Sequence, residues 1–398
     1  MCDRLKILQV FNKYSSYGGE ELVVENIDKM LSPYHQMDEC LFSSDEWLKQ
    51  GAPSKLRQVS LMFNNPRSRA ALKAKVAQCQ PDALLLHNIY PVGSPGIYAE
   101  ALALDVPVVQ YIHNFRPFSV GGTLWLGDRV AEESLQGKYW AEIKAGAWQG
   151  SRLKSALFAQ VLRHLHRNGW LQAVKCWIAI SEFMRAKFVE AGIPAEDIVT
   201  LLHPWHMIET EPDNEDSGYY LFLGRLVEEK GVKVLLEAWE IVEKEMGSQC
   251  PVLMIGGEGE MENEVNHAAD NSPKIKCMGF VKGQAKADLI ASSRAMIAPS
   301  VWWEPLGLVT YEAYDHGKPM LAASSGGLSE TVTDGHTGYT HTPGYAMELA
   351  ESVIRMEALK PEQRRAMGRE GREWLKINAD PDQWRDQIAG LIRSVKAR

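Results

Sequence analysis

The sequence predicts an α/β protein with two doubly wound, Rossmann-like domains that face a central cleft. The chain has 398 residues, which is more than one hydrophobic core usually supports. Short apolar runs alternate with helical patterns in both halves, as in parallel sheets covered by helices. The polar stretch 203–218 has two prolines and five acidic residues and interrupts this alternation, which is typical of a domain boundary.

The first half contains four candidate strands with helical patterns between them. The strands are LKILQVF (5–11), DALLLHNI (82–89), VPVVQYIHN (106–114) and CWIAIS (176–181). The helical patterns are EELVVENIDKML (20–31), SRAALKAKVAQCQ (68–80), PGIYAEALAL (95–104) and SEFMRAKFVEAG (181–192), the last with a Ser cap and a closing Gly. We assign residues 1–205 to this N-terminal Rossmann-like domain.

The second half repeats the pattern with five candidate strands. They are YYLFLGR (219–225), PVLMIGG (251–257), IKCMGF (275–280), AMIAPS (295–300) and PMLAAS (319–324), with helices that include VKVLLEAWEIVEKE (232–245). We assign residues 206–381 to this C-terminal Rossmann-like domain. The final helix, about 382–398, is expected to pack back on the first domain.

The amino-acid composition limits the kinds of binding partner and metal that we expect. The net charge is −8. The second half has a net charge of −10, with 31 Asp and Glu against 21 Lys and Arg after residue 205, and the first half is near +2. This balance argues against a nucleic-acid partner, which would need a basic surface. The N-terminal residues show no signal-peptide pattern, so we expect a cytoplasmic protein. The six scattered cysteines lack metal-ligand spacing, so no metal is expected.

One basic, tryptophan-bearing stretch stands apart. Residues 143–181 contain no Asp or Glu, and six Lys and Arg alternate there with Trp148, Phe158, Trp170 and Trp177. Two interpretations stay open: a solvated helix face with core aromatics, or peripheral contact with the inner membrane face and a phosphorylated acceptor.

Candidate site residues follow the predicted strands, where ligands bind in open α/β sheets. Gly18 and Gly19 precede a helix whose first amides can meet a phosphate. Arg225 and Lys230 follow the first strand of the second half and suit a diphosphate, with ion pairing to Glu228 and Glu229 as the alternative.

The segment SVWWEPLGLVTYE (300–312) places two glutamates eight positions apart. Pro305 is expected in the first turn of a helix that ends at Gly317, with Glu304 and Glu312 on roughly one face. Free amides at Gly307, Leu308 and Val309 would form a second anion site. Carboxylates accept hydrogen bonds from sugar hydroxyls, so a nucleotide sugar satisfies all of these groups.

Several motifs together resemble the family 4 retaining glycosyltransferases of the GT-B fold. They are GGEE (18–21), QYIHNFRPF (110–118), AISEFMRAKFVEAGI (179–193), FLGRLVEEKG (222–231), IGGEGEMENEV (255–265), the E-x7-E segment EPLGLVTYEA (304–313) and GGLSETVTDGHTGY (326–339). The resemblance runs through nearly the whole chain in order, and only residues 119–170 match poorly.

The resemblance implies that residues 1–205 form the acceptor domain and residues 206–381 the nucleotide-sugar donor domain. It also implies a role for each matching position. Arg225 and Lys230 would bind the donor diphosphate, Glu304 the transferred sugar and Glu312 the ribose. Gly18 and Gly19 would lie against the phosphates, and the base would contact Phe280 and Val281. His113 would sit beside the reacting sugar. Glu20 or Glu21 would occupy the acceptor side, and Arg116 is a candidate for an acceptor phosphate.

The expected reaction is retaining, metal-independent transfer of a hexose from a nucleotide sugar to a saccharide or lipid-linked saccharide in polysaccharide biosynthesis. UDP-glucose is the favoured donor, and no further cofactor is expected. A nucleotide-sugar epimerase and a non-catalytic nucleotide-sugar-binding scaffold remain as alternatives, because fold alone does not determine function.

Overall fold

The structure, a computed structural model, describes residues 4–15, 18–209, 212 and 215–397. The chain divides into two compact units. The first comprises residues 1–126, 131–203 and 381–398, and the second comprises residues 127–130 and 204–380.

The first unit is built on a six-stranded parallel sheet in the order β2-β1-β3-β4-β5-β6. Its strands are β1 (Lys6–Lys13), β2 (Gln36–Ser43), β3 (Ala83–Leu86), β4 (Val108–Ile112), β5 (Val174–Ala179) and β6 (Ile198–Thr200). The central strands β3 and β4 are buried along their whole length, as expected where helices cover both faces of a sheet.

Eight helices belong to the first unit in the described part of the chain. They are α1 (Gly19–Leu31), α2 (Lys55–Phe63), α3 (Pro66–Cys79), α4 (Gly96–Ala103), α5 (Trp140–Ala145), α6 (Arg152–Arg167), α7 (Glu182–Glu190) and α15 (Pro381–Lys396). The Ser181 side chain caps α7 by accepting a hydrogen bond from the Met184 amide. The last helix, α15, buries Trp384 and Ile388, and Lys396 Nζ lies 2.7 Å from Asp82 Oδ1.

The second unit has its own six-stranded parallel sheet in the order β12-β11-β10-β7-β8-β9. Its strands are β7 (Tyr219–Leu223), β8 (Val252–Gly256), β9 (Ile275–Gly279), β10 (Ala295–Ala298), β11 (Met320–Ala323) and β12 (Gly338–His341). Its helices are α8 (Val232–Met246), α9 (Glu262–Asn271), α10 (Gly283–Ser292), α11 (Leu308–Asp315), α12 (Leu328–Thr331), α13 (Ala346–Ala358) and α14 (Pro361–Asn378). Trp239 is fully buried at its core.

Short 3₁₀ turns complete both units. In the first unit they span Ser44–Trp47, Glu132–Gln136 and Trp170–Ala173, and in the second Glu228–Lys230 and Gly247–Gln249.

Each sheet has one point where the strand order reverses. In the first sheet the chain runs from β1 outward to β2 and then returns to β3 on the other side of β1, so the reversal lies between β1 and β3. In the second sheet it lies between β7 and β10 for the same reason. Ligands of open α/β sheets bind beyond the carboxyl ends of the strands at such a point. The loops after β1, β3, β7 and β10 are therefore where a site is expected.

The sequence predicted the interior strands and missed three edge strands. All nine predicted strands are present, and the missing ones are β2, β6 and β12, each at an edge of its sheet. Strand β2 alternates between buried and exposed residues along much of its length, and β6 has only three residues. An edge strand needs less apolar character than an interior one, which explains why the continuous apolar pattern did not reveal them.

The predicted helix start at Pro305 is wrong. Helix α11 begins at Leu308, because Gly307 precedes it with a φ of 88°, a left-handed conformation that ends any helical path from Pro305. Glu304 therefore lies in the loop before the helix and Glu312 lies on the helix. The two glutamates are not stacked two turns apart on one helical face.

Candidate active site

In the second unit, Lys230 and Glu304 form an ion pair at the point where the strand order reverses. Lys230 follows β7 and Glu304 follows β10. Lys230 Nζ donates to Glu304 Oε1 at 2.9 Å and to Oε2 at 2.7 Å. Ser300 Oγ and Trp302 Nε1 also donate to Oε2, each at 3.0 Å. Three donor groups thus make four hydrogen bonds to this carboxylate, which is nearly saturated as an acceptor. Only 8% of the residue is exposed.

Close backbone packing holds these two loops together. A Cβ added at Gly231, next to Lys230, would lie 1.9 Å from the carbonyl oxygen of Pro299. A Cβ added at Gly326 would lie 2.2 Å from the carbonyl oxygen of Glu304, and the Gly327 amide donates to that oxygen at 2.7 Å. Gly231 and Gly326 are thus required by close contacts with the backbone of the neighbouring loop.

The start of α11 lies beside Glu304 in the sequence. Gly307 is buried and caps the helix, and Leu308 and Val309 are partly exposed. The first amides of a helix have no partner within it, so this end retains the anion-binding capacity that the sequence predicted. Gly307 also packs tightly, since an added Cβ would lie 2.4 Å from Leu328 Cδ2.

Glu312 has a different cationic partner. Lys286 Nζ on α10 lies 2.7 Å from Glu312 Oε1, with both side chains partly exposed. No hydrogen bond joins Glu312 to Lys230 or Glu304 within the described residues. The two glutamates of the E-x7-E motif therefore each carry a lysine partner from a different element.

Three further predicted residues stand apart from these pairs. Arg225 has a 62% exposed side chain and pairs with Glu229 at 3.1 Å, which is the ion-pair alternative that the sequence left open. Phe280 is 63% exposed, whereas Val281 packs close to Gly256, where an added Cβ would lie 3.1 Å from Val281 Cγ2. An exposed aromatic ring after β9 is free to meet a flat ligand group.

In the first unit, the GGEE segment opens α1 after β1. Gly18 is the N-cap and Gly19 the first helical residue. Glu21 is buried, and its carboxylate accepts hydrogen bonds from the backbone amides of Tyr14 at 2.8 Å and Gly18 at 3.0 Å. Glu21 therefore holds the backbone at Tyr14 and at Gly18.

Glu20 instead faces a small pocket. It lines this pocket with His87, Asn88, His113, Asn114 and Arg116. Its Oε2 accepts hydrogen bonds from the Tyr14 hydroxyl at 2.9 Å and the Asn114 side chain at 3.3 Å, and its Oε1 accepts one from the Asn88 amide at 3.3 Å. Burial raises the pKa of Glu20 to about 7, against the opposing effect of these hydrogen bonds. Of the two candidate glutamates, Glu20 is the one placed to meet a ligand here.

His113 lies in the same pocket, directly after β4. Its Nε2 is 2.9 Å from Nδ1 of His87, which follows β3. Its ring stacks on Tyr111 and His203, with centroids 5.1 and 5.6 Å away. Burial and the two neighbouring imidazoles hold the pKa of His113 well below its ordinary value. His113 is therefore neutral at physiological pH.

Arg116 completes the pocket. Its guanidinium lies 4.7 Å from the centroid of the Trp148 ring and donates to the Val120 carbonyl at 2.8 Å. An added Cβ at Gly122 would lie 2.8 Å from Arg116 Cζ. The cation is thus held in place by an aromatic face and a tight loop. Within the described residues it has no carboxylate in an ion pair.

Sequence reasoning missed the partners that complete both sites. In the first unit these are Tyr14, His87, Asn88 and Asn114, and in the second Lys286, Ser300 and Trp302. His87 and Asn88 follow β3 in DALLLHNI, so the rule that selected residues after strands applied to them as well.

The basic stretch 143–181 is folded into the first unit. Phe158 and Trp177 are buried core residues, Trp148 packs against Phe158 at a centroid distance of 3.9 Å, and Arg152, Lys154 and Arg167 are exposed. Phe158 and Trp177 thus belong to the core, as the first interpretation expects, and the exposed cations are available for the membrane contact that the second one requires. In the part of the chain that the structure describes, no helix is long and apolar enough to cross a membrane.

Each half of the chain is similar to a known family of proteins. Residues 52–203 match the family model described as Glycosyltransferase Family 4, and residues 205–374 match the model described as Glycosyl transferases group 1. An uncharacterised glycosyltransferase of Methanocaldococcus jannaschii is 33% identical over 36% of this chain and 36% of its own length. The chain thus matches only about a third of that relative. The α-D-kanosaminyltransferase of Streptomyces kanamyceticus is 25% identical over 87% of this chain and 83% of its own length.

A solved structure confirms the fold. The Anabaena protein HepE, crystallised in complex with UDP-glucose, aligns with a TM-score of 0.68 at 18% identity, over 98% of this chain and 100% of HepE. The prediction of two Rossmann-like domains of the GT-B type is confirmed by this likeness and by the two parallel sheets.

Proposed function

Because the chain joins a glycosyltransferase family 4 domain to a group 1 glycosyltransferase domain, we propose that it is a retaining glycosyltransferase. It transfers a hexose from a nucleotide-sugar donor to a saccharide or lipid-linked saccharide in polysaccharide biosynthesis. The second unit binds the donor, and the first unit supplies His113 and the acceptor groups.

The ion pair between Lys230 and Glu304 is the observation that carries this proposal. A buried carboxylate with a single cationic partner at the strand-order reversal suits a ligand that is anionic at one end and rich in hydroxyls at the other. The diphosphate of a nucleotide sugar takes Lys230, and the hydroxyls of its hexose replace Lys230 as donors to Glu304.

Other residues of the second unit bind the ribose, the phosphates and the base of the nucleotide sugar in this proposal. Glu312, oriented by Lys286, accepts hydrogen bonds from the ribose. The amides at Gly307, Leu308 and Val309 and the exposed Arg225 guanidinium neutralise phosphate charge. Phe280 and Val281 receive the base.

In the first unit, Glu20 accepts a hydrogen bond from the acceptor hydroxyl, and Arg116 contacts an acceptor phosphate where one is present. The amides at Gly18 and Gly19 are offered to the donor phosphates. The neutral His113 makes a hydrogen bond to the transferred sugar without the cost of desolvating a charge.

The reaction we propose is a substitution on the front face of the anomeric carbon. The bond from that carbon to the β-phosphate oxygen breaks, the acceptor oxygen bonds to the same face, and the departing phosphate takes the acceptor proton. Negative charge grows on the β-phosphate during this step, so Lys230, Arg225 and the α11 amides stabilise the transition state more than the ground state. These cations supply the charge neutralisation, and the reaction is metal-independent in this scheme.

UDP-glucose is the donor we favour, supported by the HepE complex. We place the protein in the cytoplasm, with the exposed cations Arg152, Lys154 and Arg167 making peripheral contact with the inner membrane face. Co-sedimentation with anionic vesicles tests this contact. Binding that does not weaken in a Lys154→Glu/Arg167→Glu variant contradicts it.

The function is tested by incubating the protein with EDTA and a panel of UDP-, GDP- and ADP-sugars, followed by thermal shift and product analysis. A ligand at about 100 times its Kd stabilises the folded state by about 2.7 kcal/mol. We expect a selective shift with one nucleotide series, loss of the sugar-dependent part in Glu304→Gln, and release of the matching nucleoside diphosphate with an acceptor. An epimerised nucleotide sugar formed without acceptor indicates the epimerase. Binding without any turnover indicates the scaffold.

A further inference from the structure

His87 is a buried histidine that the proposed reaction does not use. It lies directly after β3 and is 1% exposed. Its ring packs edge-on against Phe11 and lies tilted on Tyr111, at centroid distances of 6.2 and 5.7 Å. Its Nδ1 is 2.9 Å from Nε2 of His113. Its other ring nitrogen, Nε2, is buried without a hydrogen-bond partner within the described residues.

The hydrogen bond between these rings can run in two directions. In the first, His87 carries its proton on Nδ1 and donates to His113, and the unpartnered Nε2 of His87 is a bare lone pair. In the second, His113 donates from Nε2, and His87 must carry its proton on Nε2 as a buried N–H with no acceptor. A buried donor without an acceptor is rarer and costlier in proteins than a buried acceptor without a donor. The first direction is therefore the favoured one.

The direction of this hydrogen bond also determines which ring nitrogen of His113 carries its proton. In the first direction Nε2 of His113 accepts, so its own proton is on Nδ1. The His113 ring lines the Glu20 pocket and is partly exposed. Its Nδ1 has no hydrogen-bond partner among the described residues. Burial of both imidazoles lowers the pKa of His87 to about 3 and holds the pKa of His113 well below 6.5, so neither ring gains a second proton.

We infer that His87 is the positioning residue that sets the tautomer of His113, so that His113 presents an Nδ1–H donor to an oxygen atom of the bound sugar. This inference rests on the proposed function only for the identity of that oxygen atom. In this tautomer Nδ1 cannot accept a proton. His113 therefore acts as a neutral hydrogen-bond donor and not as a general base.

The first test needs no substrate. Long-range ¹H–¹⁵N correlation spectra of the full chain, labelled with ¹⁵N-histidine, distinguish a protonated from a bare ring nitrogen. The signals are assigned with His87→Asn and His113→Asn variants. We expect Nδ1 to be protonated and Nε2 to be bare in both rings. Protonation of His113 on Nε2 overturns the inference, and this result does not depend on whether the protein transfers a sugar.

The second test replaces His87 with side chains that carry a hydrogen-bond donor near the position of Nδ1, near the position of Nε2, or at neither. In His87→Asn the side-chain NH₂ occupies the region of Nδ1 and can still donate to His113. In His87→Gln the NH₂ reaches the region of Nε2 instead, and His87→Leu has no donor. With UDP-glucose, or whichever donor the panel selects, we expect kcat to fall about tenfold in the Gln and Leu variants, the loss of one hydrogen bond.

The Asn variant should keep kcat within about threefold of the wild type, with the His113 tautomer unchanged. His35→Leu, which removes a buried histidine of the same unit, controls for the general loss of a buried ring and should leave kcat unchanged. Equal kcat values in the Asn and Gln variants overturn the positioning role.

Discussion

The Lys230 ammonium donates to both carboxylate oxygens of Glu304, at 2.9 and 2.7 Å. Each residue is thus the other's partner before any ligand binds. A ligand that separates them must provide an anion for the lysine and donors for the glutamate together, because a ligand that provides one of these leaves the other residue unpaired. The nucleotide sugar that we propose as donor meets both needs, because it carries phosphate and hydroxyl groups a few atoms apart.

The two halves of this ion pair should differ in their effect on stability. Lys230→Met leaves the buried Glu304 carboxylate without its cation and should lower the free energy of unfolding by about 2 kcal/mol. Glu304→Gln leaves a lysine whose side chain is 23% exposed and can reach water, so we expect a loss below about 1 kcal/mol. Urea unfolding measures both.

Lys233→Met is the matched control, because Lys233 forms an exposed pair with Glu237 and should change stability by less than about 0.5 kcal/mol. Equal losses in the two ion-pair variants would contradict the asymmetry of burial.

Glu312 should discriminate the ribose of the donor. The wild type is expected to bind UDP-glucose about tenfold more tightly than its 2′-deoxyuridine analogue, the worth of one hydrogen bond to a charged group. In Glu312→Ala this difference should disappear, because no carboxylate remains to accept from the 2′-hydroxyl. Isothermal titration of the four combinations gives the coupling energy directly. Glu245→Ala, an exposed glutamate of α8, should retain the full discrimination.

The raised pKa of Glu20 predicts an acid limb in the rate profile. If the ionised carboxylate accepts the hydrogen bond from the acceptor, kcat/KM should rise with pH and level off above about 7. Glu20→Gln should be slow and nearly independent of pH in this range. Glu21→Gln, which loosens the loop at Tyr14 and Gly18, should keep the acid limb, and a profile that loses it instead would assign the titration to Glu21.

The same pKa has a consequence for stability with a defined sign. Burial raises the pKa of Glu20 from 4.5 to about 7, so the folded state binds this proton more tightly than the unfolded state. The contribution of Glu20 to the free energy of unfolding is therefore full below about pH 4.5 and is lost as the pH rises through about 7. Relative to the wild type, Glu20→Gln should gain stability across this window, as measured by urea unfolding at several pH values.

Gly326 should be required for turnover and not only for stability. An alanine there would place Cβ 2.2 Å from the Glu304 carbonyl oxygen, at a φ of +59°. Gly335 has a φ of +76° and open space around its Cβ position. Both Gly→Ala changes should cost about 1 kcal/mol of stability for the left-handed backbone. Gly326→Ala alone should also lower kcat, by more than about tenfold. Equal kcat values in the two variants would show that the loop around Glu304 tolerates the shift.

The sequence predicted what local patterns encode. Interior strands such as β3 and β10 appear as continuous apolar runs. Ser181 was correctly predicted as the N-terminal cap of α7. The edge strands β2, β6 and β12 were not predicted, because a strand with a half-exposed backbone needs no continuous apolar run. Lys230 was predicted because it follows a strand, and Glu304 because of its spacing from Glu312. Glu20 and His113 were predicted from the resemblance.

The contacts between site residues were harder to predict than the positions of those residues along the chain. Lys230 and Glu304 are 74 residues apart, and only the strand order brings β7 beside β10. The same holds for His87 and His113, and for Lys286 and Glu312. The spacing within E-x7-E was misleading for a physical reason. Gly307, in a left-handed conformation, separates the loop that carries Glu304 from the helix that carries Glu312.

The membership of α15 in the first unit constrains how such proteins can be recombined. Its Trp384 and Ile388 are buried there, although the chain reaches them only after the whole second sheet. A hybrid gene that exchanges the second unit from residue 204 to residue 380 must therefore be spliced twice, at 203/204 and at 380/381. A gene fragment cut once between the sheets would leave the N-terminal product without part of its own interior.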